Sequence, residues 1–256
     1  KKAARENRPP IEKAREIFGR DFMGPAQVNE AWDVKLEAKD IPQIPFTLTE
    51  LKEAQARGEM LILRIEKDSE GQALDMNRMK ALMMKKLQGT DQTEIFRGWT
   101  DWSKEKFDKE APRVPSGAKA RWSLVTKEVL EDSTSKTYAQ QTKALRDHLI
   151  DTLHLKSDHP DFQGADDANL DRLDKLAKTD DWKQAAIELS ELPINQNYRR
   201  TPAEVTYDSF TYFAITKERL LPDHLDWTSR LDSDGSLVYV GDFGSDGLFV
   251  SRWDPD

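Results

Sequence analysis

The sequence predicts an α+β protein, in which a mainly helical N-terminal module with a small sheet precedes a domain of helices around short antiparallel strands. Three observations carry this. Helix-start signals recur, with Thr47 and Glu50 three residues apart and Thr201, Pro202 and Glu204 in a row, the pattern of a capping box with a first-turn proline. An apolar run, Met60 to Glu66 (MLILRIE), is too short for an ordinary helix. The stretch Leu231 to Trp253 (LDSDGSLVYVGDFGSDGLFVSRW) alternates with period two around two Ser-Asp-Gly turns, as a strand pair does.

In chain order, Pro9 and Pro10 open a helix whose stripe is Ile11, Ala14, Ile17 and Phe18, stopped by Gly19. The Thr47–Glu50 box begins a second helix with Leu48 and Leu51 inward and Gly58 as its cap. Met60 to Glu66 reads as a strand, turned at Asp68, Ser69 and Gly71. A helix from about Asp75 to Gln88 places Met76, Met79 and Met83 on one face, a stripe better read as core than as a binding surface. Ala111 to Gly117 (APRVPSG) has the composition of a linker, so the expected domains are 1–111 and 112–256. Arg121 to Val129 alternates like a strand, and the turn Asp132 to Ser135 is placed to cap a helix with Tyr138, Thr142, Leu145, Leu149 and Leu153 on one side. Two short amphipathic patterns between 158 and 193 read as a helical insertion, and a helix follows from about Pro202 to Lys217.

Composition narrows the function. The chain has 256 residues, a formal charge of −8 and 34% charged residues, but also seven Trp, ten Phe and five Tyr, so it can bury a core. Basic residues are interleaved with acidic ones, which argues against nucleic acid as a partner. Cysteine is absent, removing disulfides, thiolate metal sites and a cysteine nucleophile. A cytoplasmic location is the default reading, with secretion left open because the chain does not begin with Met, and no apolar run reaches the roughly 18 to 20 residues of a membrane span.

Candidate chemistry is sparse. His148, His154 and His159 do not share a helical face, so they read as solvated positions and not as metal ligands. Asp232, Asp234 and Ser236 imitate the opening of a calcium loop, but Leu237 stands where an EF-hand needs Gly. A looser calcium site shared by Asp232, Asp234, Asp242 and Asp246 remains as the one cofactor alternative to none. Nucleophile-elbow, P-loop and dinucleotide motifs are missing.

Two blocks, Trp122 to Thr142 (WSLVTKEVLEDSTSKTYAQQT) and Glu218 to Asp256 (ERLLPDHLDWTSRLDSDGSLVYVGDFGSDGLFVSRWDPD), resemble variable target proteins of diversity-generating retroelements from candidate-phyla bacteria. The resemblance implies a C-type-lectin-like fold, related to the formylglycine-generating-enzyme fold, whose C-terminal positions are rewritten at adenines by a reverse transcriptase. It implies a non-enzymatic protein that displays a diversified surface to a protein or other macromolecule. Rewritten Asn-type codons yield Tyr, Asp, Phe, Ser or Arg but never Trp, which would leave Trp253 as scaffold along with Gly241, Gly244 and Gly247. The implied ligand-binding residues are Tyr239, Asp242, Ser245, Asp246, Phe249, Ser251, Arg252, Trp253 and Asp254. Related proteins run on past this point into a further loop and core strand. An adaptor working through the N-terminal module and a carboxylate-dependent hydrolase are the alternative readings. The display reading depends on parity: odd-numbered side chains from 237 to 251 should meet solvent, while Val238, Val240, Leu248 and Val250 pack inward.

Overall fold

The computed structural model describes residues 10–87, 94–98, 105–127, 129 and 133–253. Local signals and structure agree over much of the chain. Helix α1 (Ile11–Phe18) ends at Gly19 with φ +54°, and α3 (Leu48–Ala56) begins at a reciprocal box in which Thr47 Oγ1 accepts from Glu50 N and Glu50 returns a bond to Thr47 N. Strand β2 (Glu59–Ile65) is buried along six of its seven residues, and α4 (Met76–Lys86) buries Met76, Met79 and Met83 completely. Elements without a strong local signal are β1 (Phe22–Met23), α2 (Pro25–Trp32), β3 (Phe96–Gly98) and, later, β5 (Leu225–Leu231).

Two sheets result. In the first, β1 runs parallel to β2, and β2 pairs antiparallel with β4 (Ala120–Thr126), Arg64 standing opposite Arg121 and Ile62 opposite Ser123. In the second the order is β3, β7 (Gly247–Trp253), β6 (Leu237–Gly244), β5, with β3 parallel to β7 and the rest antiparallel. Helix α9 (Pro202–Thr216) contacts β2, β5, β6, α2 and α4, and all its residues from Pro202 to Ala214 are buried. A helix enclosed on all sides must be apolar around its circumference or have its polar groups paired. Tyr207 accordingly donates to Leu63 O at 3.0 Å and stacks on Trp32 at 5.0 Å, while Trp32 Nε1 donates to Thr211 Oγ1 at 2.9 Å.

The division expected after Ala111 is not where packing divides. One core cluster runs from Ala14 through Phe107 and Trp122 to Val250, and β2–β4 and β3–β7 both pair across that point. The supposed linker and the residues before it form a strap bolted at three places: ahead of the linker Glu105 accepts from Ser233 N at 2.6 Å and Glu110 from Arg230 at 2.8 Å, and within it Arg113 donates to Glu204 at 2.7 Å. Its prolines describe an extended crossing and not a hinge. A second cluster is built by α5 (Tyr138–Asp151), α6 (Asp167–Leu176), α7 (Trp182–Glu191) and α8 (Pro193–Tyr198), together with Leu237 of β6. Helices α6 and α7 lie within the stretch 158–193 and share their core with α5, and Thr137, not the turn at Asp132 to Ser135, caps α5 by accepting from Gln140 N.

This second cluster breaks the expected parity of the hairpin. Val238, Val240, Leu248 and Val250 are fully buried as expected, but Leu237 is also 0% exposed, Tyr239 9% and Phe243 0%. Leu237 packs into the helical cluster, and Trp227 stands across Tyr239 with ring centroids at 5.3 Å. Asp242, at φ +42° beside a register shift between Gly241 and Gly244, turns Phe243 inward against Phe213. Of the odd series, Ser245 at the turn is exposed and Phe249 and Ser251 are partly exposed, while Leu237, Tyr239, Gly241, Phe243 and Gly247 are buried.

Candidate functional site

The hairpin and the helices enclose a groove of about 1470 Å³ whose walls come from β4, the segment Ser133–Thr137, α5, the turn before β5, and α3. Trp227 and Tyr239 form an aromatic wall, with Tyr138 meeting Trp227 edge-on at 5.9 Å and Arg199 lying 4.0 Å above the Tyr138 ring. Tyr239 thus reaches a cavity wall and not open solvent.

The groove floor is an ion cluster centred on two acids of α9. Asp208 holds Arg64 bidentately, Nε at 2.9 Å and Nη2 at 2.6 Å, and also accepts from Arg200 at 3.1 Å. Arg200 continues to Asp226 at 2.7 Å. Glu204, one turn earlier, forms an ion pair with Arg64 at 3.1 Å and accepts from Arg113 (2.7 Å), Arg121 (3.3 Å) and the backbone N of Thr201 (3.0 Å). Burial alone would push the Glu204 carboxyl up, but Arg64 and Arg113 outweigh it and draw its pKa down to about 2. Burial opposes the charge on Arg64 too, and Asp208 and Glu204 more than offset this, holding the guanidinium above its ordinary value. None of these residues was picked out by reading the sequence for function. The available signal was an acid pair, Glu204 and Asp208, on a helix with no other charged residue, since acids buried there demand cationic partners.

The hairpin residues divide into separate neighbourhoods. Asp242 and Asp246 pair with Arg97, whose guanidinium lies 4.6 Å above the Phe249 ring. Asp232 and Asp234 pair with Arg252 at 2.7 and 2.8 Å, and Asp232 Oδ1 also accepts from Asp234 N and Ser236 N. The four acids of the calcium alternative are therefore split between two arginines, and among the described residues no group of three or more acids or histidines converges as metal ligands. Ser245 and Asp246 are exposed at the turn, where Gly247 takes φ +111°. Gly241 and Gly244 do not have positive φ; Gly241 is required because a Cβ there would lie 2.2 Å from His224 O. Trp253 ends β7, and Asp254 lies outside the described residues, as does the placement of the Trp253 side chain.

Among the described residues no helix is long and apolar enough to cross a membrane. No family model, no curated protein and no solved structure matches the chain, so the site is read from its own geometry.

Proposed function

We propose that this chain is a non-enzymatic ligand-binding protein of the kind diversified by a retroelement, with a narrower display surface than strand parity alone suggests. The surface comprises Asp242, Ser245, Asp246, Phe249, Ser251 and Arg252. Tyr239 belongs instead to the wall of the adjoining groove. One observation supports this above others: along β7 the scaffold residues Leu248 and Val250 are fully buried while Phe249, Ser251 and Arg252 between and beyond them reach the surface. Substitution at such surface positions usually shifts stability by only about 0.5 kcal/mol, so the side chains can vary while the sheet persists. The ligand is a protein or another macromolecule that spans the hairpin end, with Phe249 beneath Arg97 as its apolar anchor.

The acids of the groove favour binding over hydrolysis. Glu204, Asp208 and Asp226 are each held by guanidinium groups, and Glu204 is drawn toward lower proton affinity, opposite to what a general acid needs. Sequencing the encoding locus tests the proposal. A reverse transcriptase gene beside a template repeat differing from codons 242–252 at adenines is the expected result; a locus with neither removes the retroelement reading.

A further inference from the structure

We infer that the groove floor at Arg121 and Ser123 is an oxyanion-binding site that takes a carboxylate or phosphate group carried by a ligand in the groove. The inference does not depend on the retroelement reading. It begins with register: β2 and β4 place Arg64 directly opposite Arg121, and like charges so placed repel unless a shared anion intervenes. Glu204 is that anion, but it also serves Arg113 and the backbone of Thr201, so its acceptor sites are taken.

Charge is unbalanced at this point. Arg64, Arg113, Arg121 and Arg200 share three carboxylates, Glu204, Asp208 and Asp226, and Arg199 beside them bonds only neutral acceptors such as Asn195 Oδ1 at 2.9 Å. Five guanidiniums thus face three carboxylates. Among the described residues four other acids line the groove: Glu50 accepts from Thr47 N, Glu59 pairs with Arg57, and the exposed Glu53 and Asp223 form no ion pair with the arginines of the cluster. The imbalance faces outward, because the side chains of Arg121 and Arg113 are 36% and 32% exposed whereas Glu204 behind them is 0%. Burial and the neighbouring Arg64 charge push the Arg121 guanidinium below its ordinary value despite Glu204, as expected where negative charge is deficient.

A second observation points to the same place. Ser123 lies two residues along β4 from Arg121, on the same face, and is only 8% exposed, yet its Oγ has no hydrogen-bond partner; neither has Arg121 Nε. A buried polar group left unpaired costs about 1–3 kcal/mol, so two of them on residues that line the groove call for an acceptor supplied from it. A guanidinium edge beside a hydroxyl suits an oxyanion, to which arginine presents paired donors. The groove is far larger than one such group, so the anion is one end of a ligand whose remainder meets Trp227, Tyr239 and Leu225.

The test titrates the full chain with inorganic phosphate and, separately, with acetate, against chloride at equal ionic strength, by calorimetry and thermal melting. Saturable binding of either anion is expected, and the preferred one distinguishes a phosphorylated ligand from a carboxylic acid. Arg121→Gln should weaken it about tenfold or more, roughly 1.4 kcal/mol. Ser123→Ala should weaken it several-fold while leaving the free chain as stable as before, since it deletes an unpaired hydroxyl, and this variant decides the matter if Arg121→Gln does not fold. Absence of any saturable response beyond chloride, or unchanged affinity in both variants, overturns the inference.

Discussion

Replacing Glu204 by Gln removes one negative charge while keeping the size of the side chain and one acceptor oxygen. Three arginines then lose their shared partner, and Arg64, only 3% exposed, is left on Asp208, which Arg200 already occupies. Taking one partner from a buried pair costs about 3–5 kcal/mol. Proton linkage gives a consistent figure: the carboxyl falls from 4.5 to about 2 in the folded chain, worth about 3 kcal/mol at roughly 1.4 kcal/mol per unit. The sign follows from the direction of the shift. A depressed folded pKa contributes stability that is complete above pH 4.5 and is lost as pH falls toward about 2. Urea denaturation of parent and Glu204→Gln chains at neutral pH should therefore differ by about 3 kcal/mol or more, and the gap should narrow steadily as the buffer is taken down toward about pH 2. A variant within about 1 kcal/mol of the parent at neutral pH, or a gap independent of pH, would refute the account of Glu204 as the anion binding these arginines.

The hairpin yields a paired comparison: Leu248→Ala should cost about 2–5 kcal/mol in denaturant because the side chain is fully buried. Phe249→Ala, on the outward face, should cost only about 0.5 kcal/mol, and equal losses at the two positions would contradict the division between scaffold and display. Gly241→Ala should lower the melting temperature by pushing β5 off β6, since the new Cβ would lie 2.2 Å from His224 O and 2.9 Å from Leu225 Cα; an unchanged melt would show that the strands can part without penalty. Burial, helped by Asp161 and Asp21 respectively, pushes the phenols of Tyr198 and Tyr212 up to about 12, and burial with Asp208 pushes Tyr207 up as well. Raised values mean stability that is whole below about pH 10 and lost above it, so spectrophotometric titration should find these three protonated at about pH 11 until unfolding releases them together.

What the sequence disclosed was whatever short-range chemistry decides. The boxes Thr47–Glu50 and Thr201–Glu204 and the methionine stripe of α4 involve residues within two or three turns, and their elements form where expected. Strand β3 has three residues and owes its existence to β7, about 150 positions later, so no local pattern announces it. The alternation of β6 failed for a related reason: period two separates the faces of a strand but cannot say whether the second face is wet, and here α5 to α8 cover it at Leu237. The groove cluster was hidden because Arg64, Arg113, Arg121 and Arg200 are scattered in a chain rich in charge. Only their convergence on Glu204 and Asp208 sets them apart.

The place of β7 between β3 and β6 has a kinetic consequence. Its parallel partner is separated from it by most of the chain, so the second sheet closes only after a long stretch of intervening polypeptide has surrendered its freedom. High contact order of this kind slows folding and leaves Phe96 and the strap around Phe107 without cover in the meantime. On a ribosome the apolar interior would stay incomplete until residues near 250 emerge, which leaves that surface open to aggregation in the nascent chain.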